Sequence, residues 1–399
     1  MSNPAPISSS ERIEEIDIIR GFALFGVLWL NLVAQSYTLA PDGVFDDLAT
    51  APLDAFIAPI AQLFVSGKAM TLFSLLFGYG FATIMSRLES RSSNANAIFL
   101  RRTAILFGFG LIHIWLIWIG DILHVYALMG FLLFLTRRWS DRSLLIFGLC
   151  LALFSQALLE AVLQYFYDDP FPWWSILDEG ARRRFEVFQG SSYIAYVGEL
   201  WRASWEEMWG APDYVSYCTV TLGRFMLGAW IFRMGWMQRT NELRPSFQRW
   251  AVILICAGIL LSLVNMRLYE INDSLAFAID PLPHLVLALG YAAVIVSVSK
   301  SETIRRAMGG VAAVGRTALT NYLLQSVMYV FVLYGFGLGL LDKLGATLCL
   351  ALALATFALQ VLLSSWWVRR FRFGPMEWIW RSLTYGQRQP MRLIADRHS

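Results

Sequence analysis

The sequence predicts an all-α polytopic membrane protein, and three observations predict it. Of its 399 residues 57% are hydrophobic and 15% charged, the mean hydropathy is +0.54, and apolar stretches of 18 or more residues recur from residue 18 to residue 368. Soluble chains average roughly 45–50% apolar and about 25% charged residues. A chain this long would ordinarily hold two or three soluble domains of about 100–200 residues each. The apolar stretches leave no room for one, so a single integral membrane domain over 1–399 is expected.

A spanning helix needs about 20 mostly apolar residues, and the elements follow in order. Residues 1–17 form an N-terminal segment whose first ten positions, MSNPAPISSS, lack a basic n-region. The first apolar run, 18–38, opens beside Asp17 and Arg20 and has no small-residue cleavage site after it, so it reads as a retained helix. The run 55–85 is long enough to break around Ser66-Gly67-Lys68, and 103–119 is parted from 122–136 only by Gly120-Asp121. With 143–167 these complete an N-terminal five-helix half, 18–167. A loop at 168–213 follows, then a second five-helix half, 214–367, with runs at 214–232, 250–268, 281–299, 318–336 and 345–367. Residues 368–399 close the chain as an interfacial segment and tail.

Ten spans place both termini on one side, and the basic residues test that parity. Lys and Arg cluster in alternate loops: Arg12 and Arg20; Arg87, Arg91, Arg101 and Arg102; Arg137, Arg138 and Arg142; Arg233, Arg239, Arg244 and Arg249; Lys300, Arg305, Arg306 and Arg316; then seven arginines from Arg369 to Arg397. The intervening loops are acidic, with Asp42, Asp46, Asp47, Glu270, Asp273 and Asp280. The positive-inside rule therefore puts both termini in the cytoplasm. With a net charge of only +3 and basic residues spread between spans, nucleic acid is not expected as a partner. Cys150, Cys218, Cys256 and Cys349 stand singly, which indicates neither a disulfide frame nor a zinc site; no metal is expected.

The loop at 168–213 carries FPWW, Arg182-Arg183-Arg184 and an aromatic-acidic stretch from Tyr193 to Trp209. Its Trp173, Trp174, Tyr193, Tyr196, Trp201, Trp205 and Trp209 suit amphipathic helices at the outer interface. Such a loop either seals the bundle or forms a lid over an outward-facing cleft.

Ionisable residues inside spans are costly, about 2.5–3.5 kcal/mol at a helix centre on insertion scales, and so mark sites. Asp17 and Arg20 can pair as i, i+3 neighbours or meet a cofactor. Lys68 either pairs with a buried acid such as Asp17, Asp121 or Glu160, or lines an aqueous cavity and meets an anion. The densest cluster is LIHIWLIWIGDILHVYALMG, with His113, Asp121, His124 and Tyr126. An imidazole beside a carboxylate is a general-base arrangement; the alternative is packing. His113 stands seven residues before Gly120, about 10 Å along a helix, so it is expected toward mid-membrane while Asp121 and His124 sit at the turn. Arg224, within TVTLGRFMLGAW, must meet an acid, carbonyls or an anionic ligand. Asp280 and His284 flank a helix start, DPLPH, where an N-cap before proline suffices as explanation. In GRTALTNYLLQS, Arg316, Thr320, Asn321, Gln325 and Ser326 form a polar stripe suited to helix–helix hydrogen bonding. No GxGxxG, GxSxG, HExxH or Walker A motif is present, and no internal repeat is evident.

Three stretches carry a resemblance: RIEEIDIIRGFALFGVLWLNL at 12–32; SGKAMTLFSLLFGYGFA at 66–82 with GDILHVYALMG at 120–130; and GRTALTNYLLQS at 315–326 with FRFGPMEWIWRSLTYG at 371–386. Together they resemble the YeiB-like family of bacterial membrane proteins, whose C-terminal half is known as domain of unknown function 418. That family is similar to a wider superfamily of transmembrane acyltransferases, which includes the lysosomal heparan-glucosaminide acetyltransferase. The resemblance implies a bacterial inner-membrane protein that moves an acyl group from a cytoplasmic acyl-CoA donor to an acceptor at the far side. On that reading His124 or His113 is the base, Asp121 orients it, and Lys68 or Arg224 stabilises the oxyanion or holds an anionic group. Arg20, Arg101, Arg102 and Arg316 would meet donor phosphates, with anchoring to membrane lipids as the alternative. Two other classes stay open, a transporter or lipid-handling protein whose polar residues line a path, and a structural or signalling protein whose buried ions all pair with each other. Self-association as a homodimer is also left open. Trp378 and Trp380 would anchor a C-terminal collar whose Arg369, Arg370, Arg372 and Arg381 face lipid phosphates.

Overall fold

The computed structural model describes residues 13–41, 43–166 and 173–393. Arg12, Asp42, Phe171, Pro172 and the tail from residue 394, with Arg397, lie outside the described residues, as do the side chains of Arg91, Trp173 and Trp174. Among the described residues the chain is helical, its only β pairing an isolated bridge between Phe371 and Arg392.

The first half holds α1 (Glu14–Leu39), α2 (Ala51–Phe64), α3 (Lys68–Arg91), α4 (Ala95–Leu116), α5 (Leu123–Leu135) and α6 (Asp141–Phe166). A cap follows, made of α7 (Trp173–Gln189), α8 (Tyr193–Ala203) and one π-helical turn, Ser204–Met208. The second half holds α9 (Pro212–Arg233), α10 (Arg244–Tyr269), α11 (Asp273–Ile279), α12 (Pro281–Val298), α13 (Glu302–Ala307), α14 (Gly309–Arg316), α15 (Ala318–Leu333) and α16 (Ala346–Val368). The helix α17 (Pro375–Tyr385) comes last.

Eight of these segments are long and apolar enough to cross a membrane. The ten apolar runs read from sequence resolve into those eight plus two shorter helices, α5 and α15. At 13 residues α5 is about 20 Å long, short of a hydrocarbon core of about 30 Å. Its apolar run is continuous with that of α4, which hides from sequence the irregular backbone at 117–122 that joins them.

Helices α1 and α9 are buried over 61% of their most apolar windows, whereas α6 is buried over 11% and α10 and α16 over 22%. The outer helices instead turn large apolar side chains outward: Leu158 is 66% exposed, Leu260 63% and Leu362 69%. A belt of that kind has lipid as its solvent.

The two ends of the bundle differ in chemistry. At one, Lys300 Nζ donates to Glu15 Oε1 at 2.7 Å, Arg305 to Glu14 at 3.0 Å and Arg233 to Asp141 at 3.1 Å. Also at this arginine-rich end, the Trp380 indole on α17 donates to the Arg102 carbonyl at 2.8 Å, and the Arg102 guanidinium lies 3.5 Å over the Trp380 ring. The opposite end is covered by the aromatic cap. Phe188, Tyr196, Leu200 and Ala203 of α7 and α8 are wholly buried, so the cap is seated in the bundle, where an interfacial segment would rest on lipid. It is fastened to the end of α4 by the Tyr193 and Tyr196 hydroxyls, which donate to the Leu116 and Ile117 carbonyls at 2.5 and 2.6 Å.

Two breaks position the polar interior. Between α2 and α3 the chain turns at Gly67, whose φ is +71°, and a Cβ there would lie 2.1 Å from the His284 ring. Both the backbone angle and the close approach require glycine. Between α4 and α5 the chain folds back so far that a Cβ on Gly110 would lie 2.3 Å from the His124 nitrogen. Helix α5 therefore starts level with Gly110, well inside the end of α4.

Candidate functional site

The α4–α5 return gathers His113, Asp121 and His124, each 1% exposed. His113, expected far from the turn, is brought to Asp121 because α4 ends at Leu116 and residues 117–122 descend beside it. Asp121 Oδ1 lies 2.8 Å from His113 Nδ1, and Oδ2 lies 2.7 Å from His124 Nδ1. Oδ2 also accepts the His124 backbone N–H at 2.8 Å. One carboxylate thus holds two imidazoles, and its oxygens assign the ring protons of the neutral histidines to Nδ1, leaving both Nε2 atoms as acceptors.

The two Nε2 atoms differ. That of His124 faces the Tyr214 hydroxyl at 3.0 Å and the Trp209 indole N–H at 3.4 Å, and the Tyr214 ring stacks on the imidazole with centroids 6.0 Å apart. That of His113 has no hydrogen-bond partner among the described residues. Its ring sits 5.3 Å from that of Tyr322 and 6.3 Å from that of Trp118. The Tyr322 hydroxyl accepts the Ile122 N–H at 3.3 Å, which pins the irregular segment from the side of α15. Non-helical backbone at this depth is tolerated where protein or a cavity surrounds it, and Trp118, Asp121 and Ile122 are all buried.

Trp209 reaches His124 from the cap, just after the π-helical turn. That turn is anchored by the Ser204 hydroxyl, which accepts from Trp115 Nε1 at 3.2 Å. The loop at 168–213 therefore supplies a residue of the cluster as well as covering it. Neither Tyr214 nor Trp209 is distinguishable in sequence as a site residue, because a ring with a polar tip at a helix start reads equally well as an interface anchor.

Lys68 lies apart from the histidines, in a second cluster. It is the first residue of α3, buried, with Nζ donating to the Gln62 carbonyl at 2.9 Å. Its nearby carboxylate is Asp280, in place of the Asp17, Asp121 or Glu160 weighed from sequence. Asp280 precedes α12 in helical backbone and makes no side-chain cap, which corrects the N-cap reading. Its Oδ1 accepts from Asn265 Nδ2 at 2.7 Å and lies 3.4 Å from His284 Nε2. Arg224 is within electrostatic reach of Asp280, Tyr126 and Tyr217, and so stands away from the other arginines. Tyr126 in turn bonds the Ser74 hydroxyl at 2.7 Å.

The remaining candidates lie at the arginine-rich end. Arg20 donates to Asp17 at 2.9 Å and to the Gly315 carbonyl at 3.3 Å, beside Arg316 at the end of α14. Arg101 and Arg102 lie under α17. Glu377 of α17 accepts the N–H groups of Leu319 and Thr320 at 2.7 and 3.1 Å and the Thr320 hydroxyl at 2.6 Å. Two stretches singled out in sequence, FGPMEW and RTALTN, are thereby joined. Of the rest of the polar stripe, Asn321 Nδ2 donates to Ser364 of α16 at 3.0 Å and Gln325 Nε2 to Gln360 of α16 at 2.8 Å, while Ser326 donates within α15 to the Tyr322 carbonyl at 3.2 Å.

A helical membrane bundle with a buried His–Asp–His cluster under an aromatic cap is the class that fold and site define. A family model described as "Protein of unknown function (DUF418)" matches residues 231–387, a span that includes Asp280, His284 and Glu377 but not the α4–α5 return. Over nearly its whole length the chain is similar to "Uncharacterized protein YxaH" of Bacillus subtilis (strain 168), at 31% identity over 98% of this chain and 98% of that protein. It is likewise similar to "Uncharacterized protein YeiB" of Escherichia coli (strain K12), at 28% identity over 94% of this chain and 96% of that protein. A third relative, "Uncharacterized 39.9 kDa protein in amylase 3'region" of Bacillus acidopullulyticus, is 27% identical over 98% of this chain and 99% of that protein. The chain belongs to the YeiB-like family of membrane proteins.

Proposed function

We propose that the protein is an acyltransferase of the bacterial inner membrane, with both termini cytoplasmic, and that His113 is its base. It would move an acyl group from a cytoplasmic acyl-CoA to a hydroxyl or amine acceptor at the opposite face. The observation that carries this reading is the His113 Nε2, without a hydrogen-bond partner among the described residues, on an imidazole whose Nδ1 is held by Asp121 at 2.8 Å. A base needs a free lone pair and a fixed tautomer, and this group has both.

In the reaction His113 Nε2 takes the acceptor's O–H or N–H proton as the acceptor atom attacks the thioester carbonyl carbon. Asp121 stabilises the imidazolium as it forms. The tetrahedral oxyanion then collapses, the C–S bond breaks, and the departing thiolate takes the proton from the imidazolium. The products are the acylated acceptor and free CoA thiol. His124, engaged by Tyr214 and Trp209, holds the second carboxylate oxygen and so positions Asp121. On this reading Arg20, Arg101, Arg102 and Arg316 would meet donor phosphates at the arginine-rich end, and the acceptor would arrive beneath the cap of α7 and α8.

Transport is the second reading, favoured by the succession of polar groups from Lys68 and Asp280 through Arg224 and Tyr217 toward Asp121. One experiment separates the two. Purified protein in detergent is incubated with acetyl-CoA and longer acyl-CoAs beside His113→Ala, His124→Ala and Lys68→Ala variants, and thiol release and acyl-CoA binding are measured. Acyl transfer predicts saturable binding, with thiol release abolished in His113→Ala and reduced in His124→Ala. Absence of binding at every chain length, with the melting temperature intact, would sink the acyltransferase reading and leave transport.

A further inference from the structure

The second cluster carries a buried charge excess that the His–Asp–His cluster does not. Lys68 is 3% and Arg224 6% exposed, yet neither forms a direct ion pair among the described residues. Lys68 Nζ spends a donor on a neutral carbonyl, and Arg224 Nε has no acceptor among the described residues. Asp280, the carboxylate that both cations feel, is turned to Asn265 and His284 instead. Counting Lys68 and Arg224 against Asp280, two positive charges face one negative. An uncompensated charge in a membrane protein's interior is retained where it meets a ligand.

Further buried polar atoms without partners among the described residues lie on the same elements. They are Thr221 Oγ1, one turn before Arg224 on α9, and Ser262 Oγ and Asn265 Oδ1, one turn apart on α10. The cluster also stands near the lipid flank. Asp280 keeps 22% of its side chain exposed, and on the helices that lead into the cluster Phe64, Leu275 and Leu282 are 38%, 49% and 37% exposed.

We propose that Lys68 and Arg224 form an anion site for the singly charged phosphodiester of a phospholipid head group, entering from the flank between α2, α10 and α12. One negative charge balances the excess. The planar guanidinium suits two phosphate oxygens while the ammonium supplies a point charge. Asn265 and Asp280 remain as acceptors for the hydroxyl or ammonium beyond the phosphate. This site is independent of acyl transfer.

The test is the melting temperature of the purified full chain in neutral detergent. Titrants are short-chain phosphatidylglycerol, the soluble diester glycerophosphoglycerol and, as a neutral lipid, short-chain diacylglycerol. The expected result is a saturable rise with phosphatidylglycerol and none with diacylglycerol; a rise with the soluble diester at higher concentration would show that charge alone is read. Arg224→Gln and Lys68→Met should each weaken the apparent affinity about tenfold or more, the loss of one charge-assisted contact. Arg224→Lys should weaken it less, and Arg102→Gln at the other end should leave it in place. Asp280→Asn, which keeps both cations and removes the competing charge, should tighten binding. Equal stabilisation by diacylglycerol, or an unchanged phosphatidylglycerol response in both cation variants, would overturn the proposal. If Arg224→Gln yields no folded protein, Asp280→Asn decides: tighter binding supports the site, unchanged or weaker binding overturns it.

Discussion

The two buried clusters each pair an aspartate with histidine and resolve their charges in opposite ways. In the α4–α5 return a single carboxylate has both oxygens engaged by imidazoles and a backbone N–H, at 2.7 to 2.8 Å. In the α3–α9–α12 cluster the carboxylate is engaged by a neutral amide, and the two cations near it keep donors to spare. The first arrangement is complete without a ligand except at one nitrogen, His113 Nε2. The second is incomplete over several atoms. A site that orients one reacting group and a site that waits for a charged molecule differ in this way, through how many polar atoms the fold leaves unsatisfied.

The largest effect is expected from breaking the satisfied cluster. Asp121→Ala leaves two buried imidazoles and the His124 N–H without their acceptor, and removal of one partner from a buried ionic network typically costs about 3–5 kcal/mol. The variant should melt far below the parent in detergent and release no thiol from acyl-CoA. By contrast Asp280→Asn, in the unsatisfied cluster, should melt close to the parent. If the two variants melt alike, the distinction between the clusters fails.

Much of the first cluster was legible in the sequence, because two histidines and an aspartate inside an apolar run have few uses other than each other. Its depth was not, since the apolar run from α4 into α5 has no polar marker for the irregular residues 117–122. The second cluster was half legible. Lys68 and Arg224 stand out as charges within spans, but Asp280 and His284 precede and follow prolines at a helix start, where capping explains them locally. Only the packing of α12 against the Gly67 turn brings them to Lys68. The eight long spans and the charge alternation needed no such tertiary information, because lipid acts on each segment separately.

A smaller effect should come from the glycines that let each cluster form. At Gly110 an added methyl would lie 2.3 Å from the backbone nitrogen of His124, which α5 cannot move without shifting the imidazole off Asp121. Gly110→Ala should cost about 1–3 kcal/mol, the usual range for overpacking, and lower thiol release more than the melting temperature alone would suggest. At Gly67 the obstacle is the His284 side chain, so Gly67→Ala should perturb phosphatidylglycerol stabilisation while leaving thiol release unchanged. The opposite assignment of the two losses would mean that the clusters act as one site.

The smallest effect concerns a further carboxylate, the half-buried Glu377, which sharpens the comparison because backbone N–H groups and a hydroxyl satisfy it. Glu377 accepts two N–H groups and a hydroxyl at the start of α15, yet burial outweighs them and pushes its pKa above the ordinary glutamate value of 4.5. A carboxyl whose pKa is raised on folding binds its proton more tightly in the folded state. Its contribution to stability is therefore full below the ordinary value and is lost as pH rises through the folded one. The melting temperature should accordingly fall over that interval in the parent. Glu377→Gln, which keeps an acceptor for α15 but has no proton to lose, should remove this slope while changing stability at low pH by less than about 1 kcal/mol. An unchanged slope in the variant would assign the titration to another group and leave Glu377 as a simple cap joining α17 to α15.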